Sequence, residues 1–184
     1  MRRYNETLRI DATTVLGVIH KGQAVIASDG QVTYGDTILK ARARKVHKLY
    51  HDSVLAGFAG SAADAFTLFE RFEEKLERFN GGMGRAAVDM AKDWRTDRYL
   101  RRLDAHLAVL NKEKIFILSG NGDIIEPDDN IIAIGSGGPY ALAAARALIK
   151  HSKLNAIEIV KETMAITASI CIYTNSHLTI ETLQ

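Results

Sequence analysis

The order in which strand-like and helix-like segments follow one another constrains the fold of this chain more than any other feature of its sequence. Short apolar or alternating segments come in runs, a pair of segments with helical period follows, and the same succession then repeats. This order favours a layered α+β fold over a doubly wound parallel sheet. The predicted strands are residues 13–20, 23–28, 46–50, 54–59, 107–110, 115–119, 124–125, 131–134, 170–174 and 178–182, and the predicted helices are residues 61–79, 85–103, 140–150 and 156–167.

Local signals mark several of these boundaries. Ser61, with Asp64 three residues later, forms an approximate capping box for the first helix, and Asn155 suits the cap of the last. Pro139 falls in the first turn of the third helix, where proline is tolerated. The glycine-rich residues 80–84 separate the first two helices, so we expect an antiparallel helix pair packed on a sheet.

Composition bounds the class of protein. A chain of 184 residues that is 47% apolar and 25% charged fits one domain with a substantial core. No apolar run reaches the roughly 18 residues that span a bilayer, and residues 1–12 are too short and too polar for a secretory signal. The single cysteine, Cys171, excludes an internal disulfide and is expected to be an inert thiol in an apolar strand. A cytoplasmic protein with no membrane segment is therefore expected, and a net charge of +2 gives no sign of a nucleic-acid partner.

Two familiar kinds of binding site find little support in the sequence. The six histidines form no His-x-x-x-His pair and no cluster with the cysteine, so no zinc site is expected. Residues 135–138, Gly-Ser-Gly-Gly, precede a predicted helix and could bind an anion at its N-terminus. They lack the spacing of a P-loop or a dinucleotide fold, so a nucleotide-binding module stays an alternative to a tight strand-to-helix turn.

The pair Thr13-Thr14 carries the sharpest chemical hypothesis. A threonine hydroxyl is a poor nucleophile without a base, but an N-terminal threonine carries a base in its own α-amine. The ordinary pKa of such an amine, about 7.7 to 8.0, lies near neutral pH. While Ala12 is attached, this nitrogen is an amide without basicity, and the uncut chain should be inert. Taken alone, the pair is more typical of the opening of a β-strand, in which threonine is common.

Other polar residues lie near predicted strand ends or turns. A lysine close to the amine, such as Lys45, would favour its neutral form, and an aspartate such as Asp29 would hold that lysine in place. Backbone donors from the glycines near Gly57 could stabilise an oxyanion, a contact that supplies about 3 kcal/mol. Ser136 is a further candidate, although spacing alone does not show that these residues converge. The basic run from Lys40 to Lys45 is by itself typical of a solvated face.

Longer motifs extend this pattern over nearly all of residues 13–184. They are Thr13-Thr14, Asp29-Gly30-Gln31-Val32, Ala43-Arg44-Lys45-Val46, Leu55-Ala56-Gly57-Phe58-Ala59-Gly60, Ala63-Asp64-Ala65-Phe66-Thr67-Leu68-Phe69, Lys92-Asp93-Trp94-Arg95-Thr96-Asp97-Arg98, Ala133-Ile134-Gly135-Ser136-Gly137-Gly138 and Ile170-Cys171-Ile172-Tyr173-Thr174-Asn175. In this set the chain resembles the HslV family, the threonine peptidase subunits of bacterial HslUV ATP-dependent proteases. The resemblance implies a proteasome-like, N-terminal-nucleophile αββα sandwich of two antiparallel sheets between helical layers, formed by residues 13–184.

The resemblance also implies an activity and an assembly. The expected activity is that of a threonine endopeptidase that degrades unfolded or tagged cytoplasmic polypeptides. The expected assembly is a homododecamer of two stacked hexameric rings, capped by the HslU ATPase hexamer, which alone uses ATP. No organic cofactor, nucleic acid or membrane is implied.

Site residues follow from the resemblance position by position. It implies that Thr13 is the nucleophile, that Asp29 and Lys45 tune its amine, that the Gly57 amide binds the oxyanion, and that Ser136 supports this network. It further implies a structural sodium site formed by the main-chain carbonyls of Ala168, Cys171 and Thr174. Ala168 stands where glycine is common in the family.

Residues 1–12 depart from the family, whose bacterial members carry a shorter leader. Methionine excision alone cannot remove twelve residues, so we expect residues 1–12 to be a propeptide cut at Ala12-Thr13 by Thr13 itself or by a neighbouring subunit. A non-catalytic ring subunit that keeps this segment is the alternative.

Overall fold

Strands and helices alternate in the predicted order along the chain. The computed structural model describes residues 10–11, 13–60, 62–98, 100 and 105–183. The strands are β1 (Ile10–Asp11), β2 (Thr14–His20), β3 (Gln23–Asp29), β4 (Val32–Tyr34), β5 (Thr37–Lys40), β6 (Val46–Leu49), β7 (Val54–Ala59), β8 (His106–Leu110), β9 (Ile115–Ser119), β10 (Ile124–Ile125), β11 (Ile131–Gly135) and β12 (Leu178–Leu183). The helices are α1 (Ala62–Arg78), α2 (Met83–Thr96), α3 (Gly138–His151) and α4 (Ala156–Ile170).

Two antiparallel sheets form the centre of the molecule. One has the strand order β11-β2-β3-β12 and the other the order β10-β9-β8-β7-β6. Apolar side chains such as Val15, Ile26 and Leu55 fill the space between the sheets. The α1–α2 pair packs on the outer face of the five-stranded sheet and the α3–α4 pair on that of the four-stranded sheet. The predicted αββα sandwich is confirmed.

The central strands are buried on both faces, which explains their continuous apolar sequences. In β2, Val15 points between the sheets, whereas Leu16 and Val18 pack towards α3 and α4. A strand covered on one face only would alternate apolar and polar residues instead. The start of β2 and the end of β3, where polar residues replace apolar ones, are the positions at which side chains can leave this core.

A third, small sheet lies outside the sandwich and was not predicted. Its order is β1-β4-β5, and Ile10 and Asp11 pair with Tyr34 and Thr33. Only residues 35 and 36 separate β4 from β5. The end of the predicted propeptide therefore lies along an edge of β4, while residues 1–9 and Ala12 fall outside the described residues.

Two predicted elements near the chain's helices were wrong. Helix α2 ends at Thr96 rather than near residue 103, with the Asp97 amide donating to the Asp93 carbonyl. Residues 170–174 form no strand, because α4 continues to Ile170 and a turn follows in which the Thr174 amide donates to the Cys171 carbonyl at 3.0 Å. Strand β12 pairs with β3 instead. Ser61, the predicted start of α1, lies outside the described residues, and none of the described helices is long and apolar enough to cross a membrane.

Candidate active site

Thr13 lies immediately before β2, and the turn between β11 and α3 packs against its backbone. Its side chain is 6% exposed. The neighbouring Gly135 pairs with Thr14 and has a φ of +87°, and a Cβ at this position would overlap the Thr13 carbonyl oxygen. Only glycine satisfies both requirements. The turn thus fixes the backbone of Thr13 from one side.

Asp29, the last residue of β3, holds the same backbone from the other side. This fully buried carboxylate accepts hydrogen bonds from the Thr14 amide at 2.8 Å and from the Gln31 amide at 2.8 Å. It also accepts a bond from Lys45 Nζ at 3.0 Å. Such donors supply the hydrogen-bond partners that a buried carboxylate needs. Asp29 therefore ties together the start of β2, the end of β3 and Lys45.

Lys45 is a buried cation between the two sheets' edges. Its side chain is 9% exposed and donates to Asp29 Oδ1 and, at 2.6 Å, to the Gln31 carbonyl. Burial lowers the pKa of Lys45 below its ordinary value, and the neighbouring Asp29 carboxylate opposes that shift. The basic run of residues 40–45 is thus not a uniformly solvated face. Thr13 and Lys45 line one cavity, so the structure brings together Thr13, Asp29 and Lys45.

The structure does not bring Gly57 to this cavity. Gly57 lies inside β7, paired with Val46 and Ala108, and a Cβ there would overlap Val15 and Ile26 between the sheets. The absence of a side chain at Gly57 lets the two sheets pack closely at this point. Gly60, three residues later, has a φ of +148° and lines the cavity with Thr13. The sequence feature that could have identified Gly60 is its position just after a predicted strand, where backbone amides no longer pair with a neighbouring strand.

Ser136 lies in the exposed turn between β11 and α3. This turn is anchored to Thr14, whose Oγ1 accepts the Gly137 amide at 3.1 Å and lies 2.7 Å from Thr174 Oγ1. A Cβ at Gly137 would overlap Thr14, Thr167 and Thr174. The Gly137 amide is committed to the protein's own threonine, which favours the tight-turn interpretation of residues 135–138 over an anion site.

The cavity beside Thr13 has a volume of about 270 Å³. That is slightly below the roughly 300–1,000 Å³ of pockets for drug-sized ligands. Its wall is formed by β4, the 40–47 segment, the end of β7 and α1. The lining residues are Thr13, Val32, Lys40, Ala43, Arg44, Lys45, His47, Phe58, Gly60, Ala65, Phe66 and Phe69.

Comparison with known proteins assigns the family. The family model described as "Proteasome subunit" matches residues 10–183. The chain belongs to the proteasome subunit family. It is 60% identical over 174 residues to the ATP-dependent protease subunit HslV of Syntrophobacter fumaroxidans, a match that covers 95% of this chain and 97% of that protein. The resemblance to HslV is thereby confirmed.

Solved structures agree with this assignment. Eukaryotic HslV from Trypanosoma brucei superposes with a TM-score of 0.88 at 43% identity, covering 93% of this chain and 99% of the other. The BPH protein of Thiobacillus denitrificans, bound to epoxomicin, superposes with a TM-score of 0.72 at 19% identity, covering 93% and 98% of the two chains. At that identity the second match supports the fold alone.

In this proteasome subunit, the three carbonyls expected to bind sodium lie around the end of α4. Ala168 belongs to the last turn of the helix, where carbonyls lack an intrahelical partner. Cys171 is the C-cap rather than a strand residue, and its carbonyl accepts the Thr174 amide, which leaves one lone pair. Ala168 is helical, so the glycine common in the family is not required here. Oxygen donors of this kind fit a hard cation.

Proposed function

We propose that this proteasome subunit is a threonine endopeptidase, the proteolytic core of an ATP-dependent protease. The name of its 60%-identical relative supports the protease assignment and a partnership with an HslU-type ATPase. In the proposed assembly, twelve copies form two stacked hexameric rings in the cytoplasm. The ATPase hexamer threads unfolded or tagged polypeptides into the chamber between them.

The observation that carries this proposal is the placement of Thr13 beside the buried Asp29–Lys45 pair on the wall of a cavity. Once Ala12 is cut away, the Thr13 amine accepts the proton of its own hydroxyl while Oγ1 attacks a substrate carbonyl. The Lys45 cation disfavours a second charge on that amine, and Asp29 keeps Lys45 in position.

The attack converts the carbonyl into a tetrahedral oxyanion. Backbone amides aimed at such an oxygen supply about 3 kcal/mol of stabilisation. The placement of Gly60 on the cavity wall makes its amide the better donor, since Gly57 is enclosed between the sheets. The amine returns its proton to the departing peptide nitrogen, and water then releases the acyl group from Thr13 by the same steps in reverse order.

In this proposal, a sodium ion has a structural role. The Ala168, Cys171 and Thr174 carbonyls would hold the ion and fix the turn after α4. Thr174 in turn positions Thr14 through the contact between their hydroxyls. The ion takes no part in proton transfer.

Thr13→Ala tests the proposed function. The variant should lose peptide hydrolysis completely, keep the assembled ring, and retain residues 1–12 if cleavage at Ala12-Thr13 is autocatalytic. Peptidase assays, light scattering and intact mass measure these three outcomes. Thr37→Ala, at an exposed position of β5, is the matched control and should leave all three unchanged.

Two results would refute the assignment of the nucleophile. They are unchanged turnover in Thr13→Ala, and full retention of residues 1–12 in wild-type protein that hydrolyses peptides. Retention of the segment in an inactive, assembled ring would instead establish the non-catalytic ring subunit.

A further inference from the structure

The cavity beside Thr13 is placed to receive one side chain of a bound substrate. When Thr13 attacks a carbonyl, the residue that carries this carbonyl has its Cα one bond from the reacting carbon. Its side chain must therefore enter the space that Thr13 itself lines. The volume of about 270 Å³ suits such a single side chain. The lining residues consequently decide which side chains the enzyme accepts before the cleaved bond.

The wall of this cavity combines aromatic rings with cations. Phe58, Phe66 and Phe69 supply apolar surface, whereas Lys40, Arg44 and Lys45 supply cationic groups, of which Arg44 is paired with Glu181 and Lys45 with Asp29. Among the described lining residues there is no carboxylate. Such a wall favours apolar side chains and repels lysine and arginine side chains.

His47 is the residue of this wall whose charge changes near physiological pH. It lies on β6, with its ring centroid 4.9 Å from that of Phe69 and 6.4 Å from that of Phe66. Histidine ordinarily titrates near pH 6.5, far from the lysines and arginine of the same wall. The net charge of the cavity wall therefore depends on whether His47 is protonated.

The surroundings of His47 favour its neutral form at pH 7. Partial burial lowers the pKa of His47, and the nearby Arg44 lowers it further. Glu181, on β12, and a hydrogen bond with the Arg44 backbone oppose these effects. The cavity face of α1 contributes phenylalanine rings and that of β7 contributes Phe58, so neither adds a charge there. Protonation thus requires mildly acidic conditions, below the ordinary pKa of about 6.5.

We propose that His47 determines the side-chain specificity of the Thr13 site: neutral, it leaves the cavity suited to an apolar substrate side chain, and protonated, it admits an acidic one. The inference rests on the proposed peptidase function and adds a substrate class to it. A carboxylate in the cavity would lie among His47, Arg44 and Lys40, and the added positive charge would stabilise it. By linkage, a carboxylate that raises the pKa of His47 by one unit is favoured about tenfold at low pH.

The test compares two peptides that differ only in the residue before the cleaved bond, glutamate or leucine. Their kcat/KM values are measured between pH 5.5 and pH 8 on the leader-free assembled enzyme with its ATPase. The glutamate-to-leucine ratio cancels the titration of the Thr13 amine, because both peptides use the same amine. This ratio should rise several-fold towards pH 5.5 in the wild type, with about tenfold as the limit reached only well below the pKa of His47.

Variants assign the effect to the histidine. His47→Asn should make the ratio independent of pH, and His47→Phe should keep it low throughout. His51→Asn is the matched control, since His51 is 79% exposed, lies outside the cavity and has a φ of +53°, which asparagine tolerates. It should retain the wild-type rise.

Each outcome decides the inference. A wild-type ratio that stays flat while the leucine peptide is hydrolysed refutes the role of His47 and leaves the peptidase function standing. The same rise in His47→Asn as in the wild type also refutes it. If the leader-free enzyme hydrolyses neither peptide, the proposed function fails and the inference with it. Should one His47 variant fail to fold, the other alone assigns or refutes the effect by the same criterion.

Discussion

The Asp29 carboxylate accepts several hydrogen bonds at the centre of the candidate site. One carboxylate satisfies two backbone amides and the Lys45 ammonium without solvent contact. Taking two charges out of water is costly, and their attraction returns that cost only with good geometry and further hydrogen bonds. The pair is therefore better explained by the need to place a cation beside Thr13 than by stability.

Asp29→Asn should destabilise the protein severely. The amide side chain removes the carboxylate charge that faces the buried Lys45 and points an N–H group at donors, and such a broken pair costs about 3–5 kcal/mol. Urea unfolding at one protein concentration measures the loss. Asp36→Asn, which removes the same charge from an exposed turn, should change stability by less than about 0.5 kcal/mol. Equal effects in the two variants would contradict the importance of the buried pair.

Residue types of the site could be predicted from the sequence, but their spatial arrangement could not. Thr13, Asp29 and Lys45 stand out because polar residues interrupt or end apolar strands, and the structure brings all three together. Gly57 and Gly60 look alike in sequence; only the pairing of β7 on both sides shows that Gly57 is enclosed. His47 gave no signal, because its role depends on α1 covering β6 from a distant part of the chain.

At the scale of elements, helix starts were more predictable than helix ends. The start of α4 is a local structure: Asn155 and Glu158 form a reciprocal capping box within four residues. Its end depends on tertiary packing, since Thr167, Cys171 and Thr174 are buried against other elements. The apolar Ile170 and Ile172 look like strand residues, yet both are largely exposed in the described subunit.

The α1–α2 pair is joined by an ion network as well as by its apolar core. Lys75 Nζ lies 2.8 Å from Asp89 Oδ2 and 2.5 Å from Asp93 Oδ2, and its side chain is 13% exposed. Hydrogen bonds to these carboxylates raise the pKa of Lys75 against the effect of burial, and the hydrogen bond from Lys75 lowers the pKa of Asp89. Lys75, on α1, thus links this helix to α2, the next helix along the chain.

Lys75→Met should remove a pH-dependent part of the stability, about 1 kcal/mol at pH 7. A lowered carboxylate pKa stabilises the fold above the ordinary value of 3.8 and loses this effect as pH falls through the folded pKa. The raised lysine pKa stabilises below 10.5 and loses its effect as pH rises through the folded value. Urea unfolding should thus separate the variant from wild type at pH 7 and much less near pH 3. Lys161→Met, exposed on α4 and away from the network, is the control, and a difference that persists undiminished in acid would contradict the network.

At the scale of the whole molecule, the helical layer of α3 and α4 leaves a groove of apolar side chains exposed. The outer side of α3 and α4 carries an apolar groove that includes Tyr140, Ile166 and Ile170, each at least 40% exposed. Ile172, just beyond α4, is 78% exposed. Clustered exposed apolar side chains can mark a surface that a partner covers. A proteasome-like oligomer offers a second subunit to cover it, and the proposed stacked rings require such contacts.

Ile170→Lys should therefore disrupt assembly without unfolding the subunit. Ile170 is the last residue of α4, where a cation interacts favourably with the helix dipole, so the change should not weaken the helix itself. Within an apolar contact between subunits, however, an unpaired ammonium is costly. Light scattering should show a smaller particle than the wild-type oligomer, while circular dichroism stays unchanged. Val88→Lys makes the same change at a 46% exposed position of α2, on the opposite side of the sandwich, and should leave the particle intact. If Val88→Lys alone reduces the particle, the contacts that hold the rings together lie on the α1–α2 layer, and the apolar groove of α3 and α4 needs another explanation.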